Sequence, residues 1–153
     1  MSDAATPPDI AIPPGPGLAI GDLARDEIAA AVALWTEAGL TRPWNDPNAD
    51  IDLALASPGS TVLAGRRDGR LVATAMVGSD GHRGWVYYLA VARDCRGQGL
   101  GKAMMAACEA WLKARGVPKL HLLVRRDNAG VIAFYDRLGY ETSDSLMLMR
   151  WLK

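Results

Sequence analysis

Apolar residues recur at helical spacing in several stretches of this chain and gather into short, dense runs between them. Ile28, Ala31, Val32, Trp35 and Ala38 share one side of a helix. Asp22 is placed to cap that helix and Gly39 to end it. Ile51 to Ala56 fits a second, short helix. Leu100, Met104, Cys108, Trp111 and Leu112 mark a long amphipathic helix, stopped by Gly116-Val117-Pro118. Val131, Phe134, Tyr135 and Leu138 mark a last one, with Asn128 as its cap and Leu138-Gly139-Tyr140 as its break.

The dense runs read as strands. A short one is expected at Leu18 to Ile20, then Thr61 to Arg67 and Leu71 to Gly78 around the hairpin turn Asp68-Gly69. Gly84 to Ala92 is the most apolar, Leu120 to Val124 follows the long helix, and a last strand ends near Trp151. Arg42-Pro43-Trp44-Asn45-Asp46-Pro47 is bracketed by prolines and reads as a loop. The order β-α-α-β-β-β-α-β-α-β predicts a mixed α/β (α+β) domain with helices on both faces of one sheet.

Composition narrows the picture. The chain of 153 residues carries 17 Lys and Arg against 17 Asp and Glu, so no basic excess points to nucleic acid. No apolar run is long enough to span a bilayer, and the start is not of secretory type. A cytoplasmic protein with no membrane partner is expected. Pro7, Pro8, Pro13, Pro14 and Pro16 make residues 1–17 an extended or mobile tail ahead of one domain over 18–153. Cys95 and Cys108 are too few for a disulfide framework and read as free thiols. Cys108 lies on the helix stripe, whereas Cys95, beside a glycine turn, is either inert or reactive.

The candidate chemistry starts at that turn. Arg96-Gly97-Gln98-Gly99-Leu100-Gly101-Lys102 joins the most apolar strand to the long helix. A helix N-terminus presents free N–H groups and partial positive charge to an anion, and glycines let a phosphate approach the backbone. A Walker A loop is ruled out, because Ala103 follows Gly101-Lys102 and Arg96 stands at the first glycine. A Rossmann fingerprint is ruled out, because Lys102 replaces the third glycine. The pattern [Q/R]xxGx[G/A] is matched in full by Arg96, Gly99 and Gly101.

With Tyr87-Tyr88-Leu89-Ala90-Val91 before the turn, and Asn128-Ala129, Phe134-Tyr135 and Leu138-Gly139-Tyr140 after it, the chain resembles the GNAT superfamily of N-acetyltransferases. The resemblance covers roughly Leu18 to Lys153. The segments at 42–47, 80–84 and 87–89 further resemble the small stand-alone bacterial YpeA-like acetyltransferases.

The resemblance implies acetyl-CoA as cosubstrate, a primary amine as acceptor, and no metal. It implies that Arg96, Gly97, Gln98, Gly99, Leu100, Gly101 and Lys102 hold the pyrophosphate. Leu89, Ala90 and Val91 would line the pantetheine arm where the fourth and fifth strands splay apart at a bulge. A backbone N–H near Leu89 or Ala90 would give oxyanion-type stabilisation. Tyr135 matches the position that faces the CoA sulfur and would protonate the leaving thiolate; otherwise it is a buried helix tyrosine. Asn128 either contacts the pantetheine arm or only caps its helix.

The general base does not carry over. The places where relatives put a glutamate hold Trp85 and Leu123, which do not titrate. His82, Tyr87 and Tyr88 are the nearby alternatives, the first because imidazole titrates near neutral pH. His121, on an apolar strand, reads as structural. On the acceptor side, Trp44, Asn45 and Asp46 could bind a cationic amine through an aromatic face and a carboxylate. Equally, Trp44 could plug the core while Asp46 satisfies backbone donors. Arg83 is split between a solvated turn charge and a substrate contact. Alternatives of function are N-terminal acetylation of a ribosomal protein, against which Leu123 counts, and a catalytically silent acyl-CoA-binding module. A homodimer is compatible with the resemblance.

Overall fold

Asp68 and Gly69 hold left-handed φ angles of 52° and 77°, the geometry of a two-residue hairpin turn. They join Ser60–Arg67 (β2) to Arg70–Ser79 (β3). The structure, a computed structural model, describes residues 17–153. Apart from Gly17, the expected proline-rich tail lies outside the described residues. The described chain forms two compact units, one ending at Leu122 and one running from Leu123 to Lys153.

In the first unit, Ala19–Asp22 (β1) pairs with β2, and Gly84–Val91 (β4) with β3, all antiparallel. Leu120–Leu122 (β5) joins β4 in parallel, giving the sheet order β1-β2-β3-β4-β5. Successive strand residues face opposite sides, and two neighbours on β3 show what each side holds. Ala73 pairs with Gly65, where an added Cβ would stand 3.0 Å from Met104 Sδ on Leu100–Ala114 (α3). Thr74 faces the other way and accepts a hydrogen bond of 2.7 Å from Trp35 Nε1 on Ile28–Glu37 (α1). Pro47–Ala56 (α2) ties to the start of β2, where Ser60 Oγ donates to the Ala54 carbonyl at 2.8 Å. Helices therefore cover both faces, as the element order predicts. Trp35, Ile51, Val62, Val72, Val77, Met104, Met105 and Cys108 are buried between them. Removal of such side chains from water is the main stabilising term, about 1.5–3 kcal/mol for each large one.

Several boundaries differ from the sequence reading. Asp22 does not cap α1: it ends β1, and its Oδ1 accepts from Thr61 Oγ1 at 3.0 Å. The chain turns two residues later, where Glu27 Oε1 reaches back to the Ala24 N–H at 2.9 Å. Leu34 joins Ala31 and Trp35 on the buried side of α1, while Ile28 and Val32 are only partly covered. Helix α2 starts at Pro47, inside the expected loop. Proline suits the first helical position, and Asp46 Oδ1 caps the turn by accepting from the Asn48 and Ala49 N–H groups.

In the second unit, the Asn128 side chain caps Ala129–Arg137 (α4) by accepting from the Val131 N–H at 3.2 Å. Gly139, at φ 89°, ends it: its N–H reaches the Asp136 carbonyl and that of Tyr140 reaches Tyr135, the Schellman pattern that needs a left-handed residue. The expected last strand is not formed, and residues 141–153 carry no regular element. A strand needs an edge to pair with, and this unit supplies only α4.

Candidate active site

Gly97 and Gly99 take φ angles of 74° and 79°, which side chains disfavour, and no atom lies within 4 Å of a Cβ added to either. The chain leaves β4, makes one 3-10 turn at Arg93–Cys95, and enters α3 at Leu100 with Gly99 as N-cap. No side chain caps this helix. The first intrahelical bond comes from the Ala103 N–H to the Gly99 carbonyl, at 3.1 Å. The N–H groups of Leu100, Gly101 and Lys102 precede it and have no intrahelical acceptor, as at any helix start. Together with open space over the glycines, they form a cradle for an anion.

The turn is held from outside. Arg67 Nη1 donates to Gln98 Oε1 at 2.6 Å, and Arg70 grips both carboxylate oxygens of Asp94. That pairing holds the Asp94 carboxyl below its ordinary range. Arg96 Nε donates to the Val91 carbonyl at 3.3 Å. Cys95 is buried beneath the turn, and burial pushes the Cys108 thiol up to about 12.

Strand β4 changes character at Tyr88. Between the pairs Thr74–Ala90 and Met76–Tyr87, one residue of β3 faces two of β4, and Tyr88 sits at φ 52°. This is a β-bulge with a left-handed tyrosine, a conformation that costs about 1–3 kcal/mol and persists only where its surroundings enforce it. They do so here. The Tyr88 ring stacks on Trp35, and its carbonyl accepts from Thr74 Oγ1 at 3.1 Å. On the other edge, β4 pairs with β5 only as far as Val86 and Leu122. From Tyr87 to Val91 that edge has no β5 partner, so a bound chain-like group could take one.

Beside the bulge lies a cavity of about 720 Å³. Leu40, Asn45, Asp50 and Leu53 wall it from the α1–α2 loop and α2, Met76 and Ser79 from β3, and Trp85, Tyr87 and Tyr88 from β4. Tyr87 and Tyr88 are consecutive yet both face it, because the bulge turns the second. Tyr88 OH donates to Asp50 Oδ2 at 2.6 Å. Burial, reinforced by Asp50, pushes the Tyr88 phenol above its ordinary range. Burial first, then the charge of Asp80, does the same for Tyr87. The Asp80 carboxylate is drawn down to about 2 by the Arg83 and His82 N–H groups and by the Trp85 indole.

The other residues singled out by sequence fall as follows. Asn45 lines the cavity, Asp46 caps α2, and Trp44 is 53% exposed and so does not plug the core. His82 and Arg83 sit on the turn at 80–83, outside the cavity lining; Arg83 Nη1 donates to the His82 carbonyl. His121 meets Trp85 edge-on at 5.0 Å. In the second unit, Tyr135 packs edge-on against Phe134 and Tyr140. Sequence reasoning missed Asp50. Its spacing on α2 carries no signal, and only the hydrogen bond from Tyr88 marks it.

Residues 26–140 match the profile of the Acetyltransferase (GNAT) family. The chain belongs to the GNAT acetyltransferase family. An acetyltransferase of Pectobacterium atrosepticum is 44% identical over 124 residues, which cover 81% of this chain and 88% of that one. Among solved structures, the aminoglycoside N-acetyltransferase AAC(6')-Iy in complex with CoA superposes with a TM-score of 0.75. It is 16% identical, over 89% of this chain and 95% of that one. A ribosomal-protein-alanine N-acetyltransferase of Brucella melitensis gives 0.71 at 22% identity, over 88% and 99%. At such identities the superpositions speak for the fold alone. The protein is therefore an acyltransferase with a GNAT fold. Among its described residues no helix is long and apolar enough to cross a membrane.

Proposed function

We propose that this acetyltransferase, a single domain over 18–153, transfers the acetyl group of acetyl-CoA to a primary amine bound in the cavity beside Tyr88. The observation that carries the reading is the uncapped N-terminus of α3, one short turn after a strand edge that β5 leaves unpaired. An anion cradle next to a strand edge that β5 leaves unpaired suits a pyrophosphate joined to an amide-bearing arm. Gly97, Gly99 and the N–H groups of Leu100, Gly101 and Lys102 would hold the pyrophosphate. Leu89, Ala90 and Val91 would line the arm and polarise the thioester carbonyl through a backbone N–H.

The amine arrives as an ammonium and loses one proton to water in the open cavity. Its lone pair forms the N–C bond, the C–S bond breaks, and the nitrogen sheds a second proton. The departing thiolate takes up one proton, whose donation we assign to the Tyr135 phenol, and the phenolate regains through solvent one of the two that the nitrogen sheds. One proton is released overall per acetyl group moved. Asn128 supports this segment by capping α4. Thiol release from acetyl-CoA with a panel of amines, alongside calorimetric titration with CoA, tests the reading. Absence of CoA binding, or of transfer to every amine offered, sinks it.

A further inference from the structure

The cavity beside Tyr88 is built for a particular kind of charge. Its lining contains no Lys or Arg, and its two carboxylates are Asp50 and Asp80. Asp80 keeps its charge but has a donor on each oxygen: Oδ1 accepts from the His82 and Arg83 N–H groups, and Oδ2 from the Trp85 indole. Asp50 is different. Oδ2 takes the Tyr88 hydroxyl at 2.6 Å, while Oδ1 accepts no other hydrogen bond among the described residues. The Tyr88 ring that makes this bond is fixed in turn by its stack on Trp35, at 3.8 Å. One oriented carboxylate oxygen thus serves a space whose large walls are Leu40, Leu53, Met76, Trp85 and Tyr87, with Asn45 and three serines as its neutral polar residues.

One carboxylate oxygen without a donor, set among aromatic faces, suits one ammonium group. A second ammonium group would lose water against leucine and methionine and find no second carboxylate oxygen clear of a donor. A carboxylate on the ligand would find no cation and would oppose Asp50. The volume of about 720 Å³ suits a small molecule.

Resting on the acetyltransferase reading, we propose that the acceptor is a small primary monoamine with an apolar or aromatic body and no carboxylate, its ammonium anchored by Asp50 until the nitrogen loses a proton to water and its lone pair is free to attack. Tyr88 is the positioning residue that presents Asp50.

The test uses the full chain saturated with CoA and follows ligand binding by calorimetry. The probes are 2-phenylethylamine, its alcohol analogue 2-phenylethanol, phenylalanine, spermidine and a short peptide with a free N-terminus. The amine is expected to bind at least about tenfold tighter than each of the other four. Asp50→Asn should weaken the amine by about tenfold or more and leave the alcohol unchanged. Tyr88→Phe should weaken it less, because the carboxylate stays but loses its hold. CoA affinity should be unaltered in both variants, which also shows them folded. In turnover, Asp50→Asn should raise KM for the amine and not for acetyl-CoA. Equal binding of amine and alcohol to the natural protein overturns the assignment without any variant. So does tighter binding of spermidine, phenylalanine or the peptide, an unaffected Asp50→Asn protein, or no saturable amine binding. If the natural protein fails to bind CoA, the acetyltransferase reading itself falls. If CoA binds and the amines do not discriminate, only the acceptor assignment falls.

Discussion

The indole of Trp35 lies flat on the phenol ring of Tyr88, centroids 3.8 Å apart and planes within 7°. Trp35 belongs to α1, and Tyr88 is the left-handed residue of the β4 bulge. The same indole donates to Thr74, whose hydroxyl donates to the Tyr88 carbonyl. One buried tryptophan thus holds both the ring and the backbone of the residue that shapes the cavity.

Trp35→Phe should therefore lower stability by about 1–3 kcal/mol, since it removes a donor from the buried Thr74 hydroxyl and leaves a void beside Tyr88. Urea denaturation measures this. An unchanged midpoint would mean that the hydrogen bond chain does not support the bulge.

Replacing Gly99 by Leu should weaken CoA binding by about tenfold or more, because the new side chain occupies the space where an anion meets the α3 N-terminus. The φ of 79° adds backbone strain of about 1–2 kcal/mol. Calorimetry decides. Unaltered affinity would remove the turn from the cofactor site.

Tyr135→Phe should reduce kcat by about 100-fold and leave the dissociation constant for CoA nearly intact, the pattern of a lost proton donor. Steady-state kinetics with any accepted amine reads it. Equal turnover would take Tyr135 out of the chemistry.

Gly84 sits where β4 meets the buried Leu112 of α3, and a Cβ there would stand 2.5 Å from Leu112 Cδ1. Gly84→Ala should destabilise the fold by about 1–3 kcal/mol through overpacking. Thermal or chemical denaturation checks the sign; a neutral result would mean that Leu112 swings away freely.

The Asp80 carboxylate titrates near 2 in the folded protein against an ordinary value of 3.8. A depressed folded value means stability that is present above pH 4 and lost as pH falls toward 2. Asp80→Asn should thus differ from the natural protein at neutral pH, with the difference shrinking between about pH 4 and 2. A pH series of urea midpoints tests this, and a constant difference would contradict it.

The glycine turn was legible in the residues alone. Its geometry is local: left-handed glycines and unpaired backbone N–H groups lie within one turn of a helix start. Asn128 as a cap and Gly139 as a helix end were legible for the same reason. The hairpin at Asp68-Gly69 and the order of strands and helices follow from spacing that neighbours in sequence enforce. Asp46 and Pro47 were legible only in part, because a loop and a capped helix start use the same residues.

The cavity was not legible. It brings Asp50 from α2 to Tyr88 on β4, residues that no local pattern links, and it exists only because a bulge turns one side chain out of alternation. The resemblance implied that β4 and β5 part at a bulge, but not that their pairing ends at Val86 and Leu122, since ladder length depends on how strands diverge in space. The sequence by itself determined the family and the glycine turn at the start of α3, because both are carried by short local motifs. Only the tertiary structure decided which carboxylate faces the cavity, because that depends on packing between distant segments.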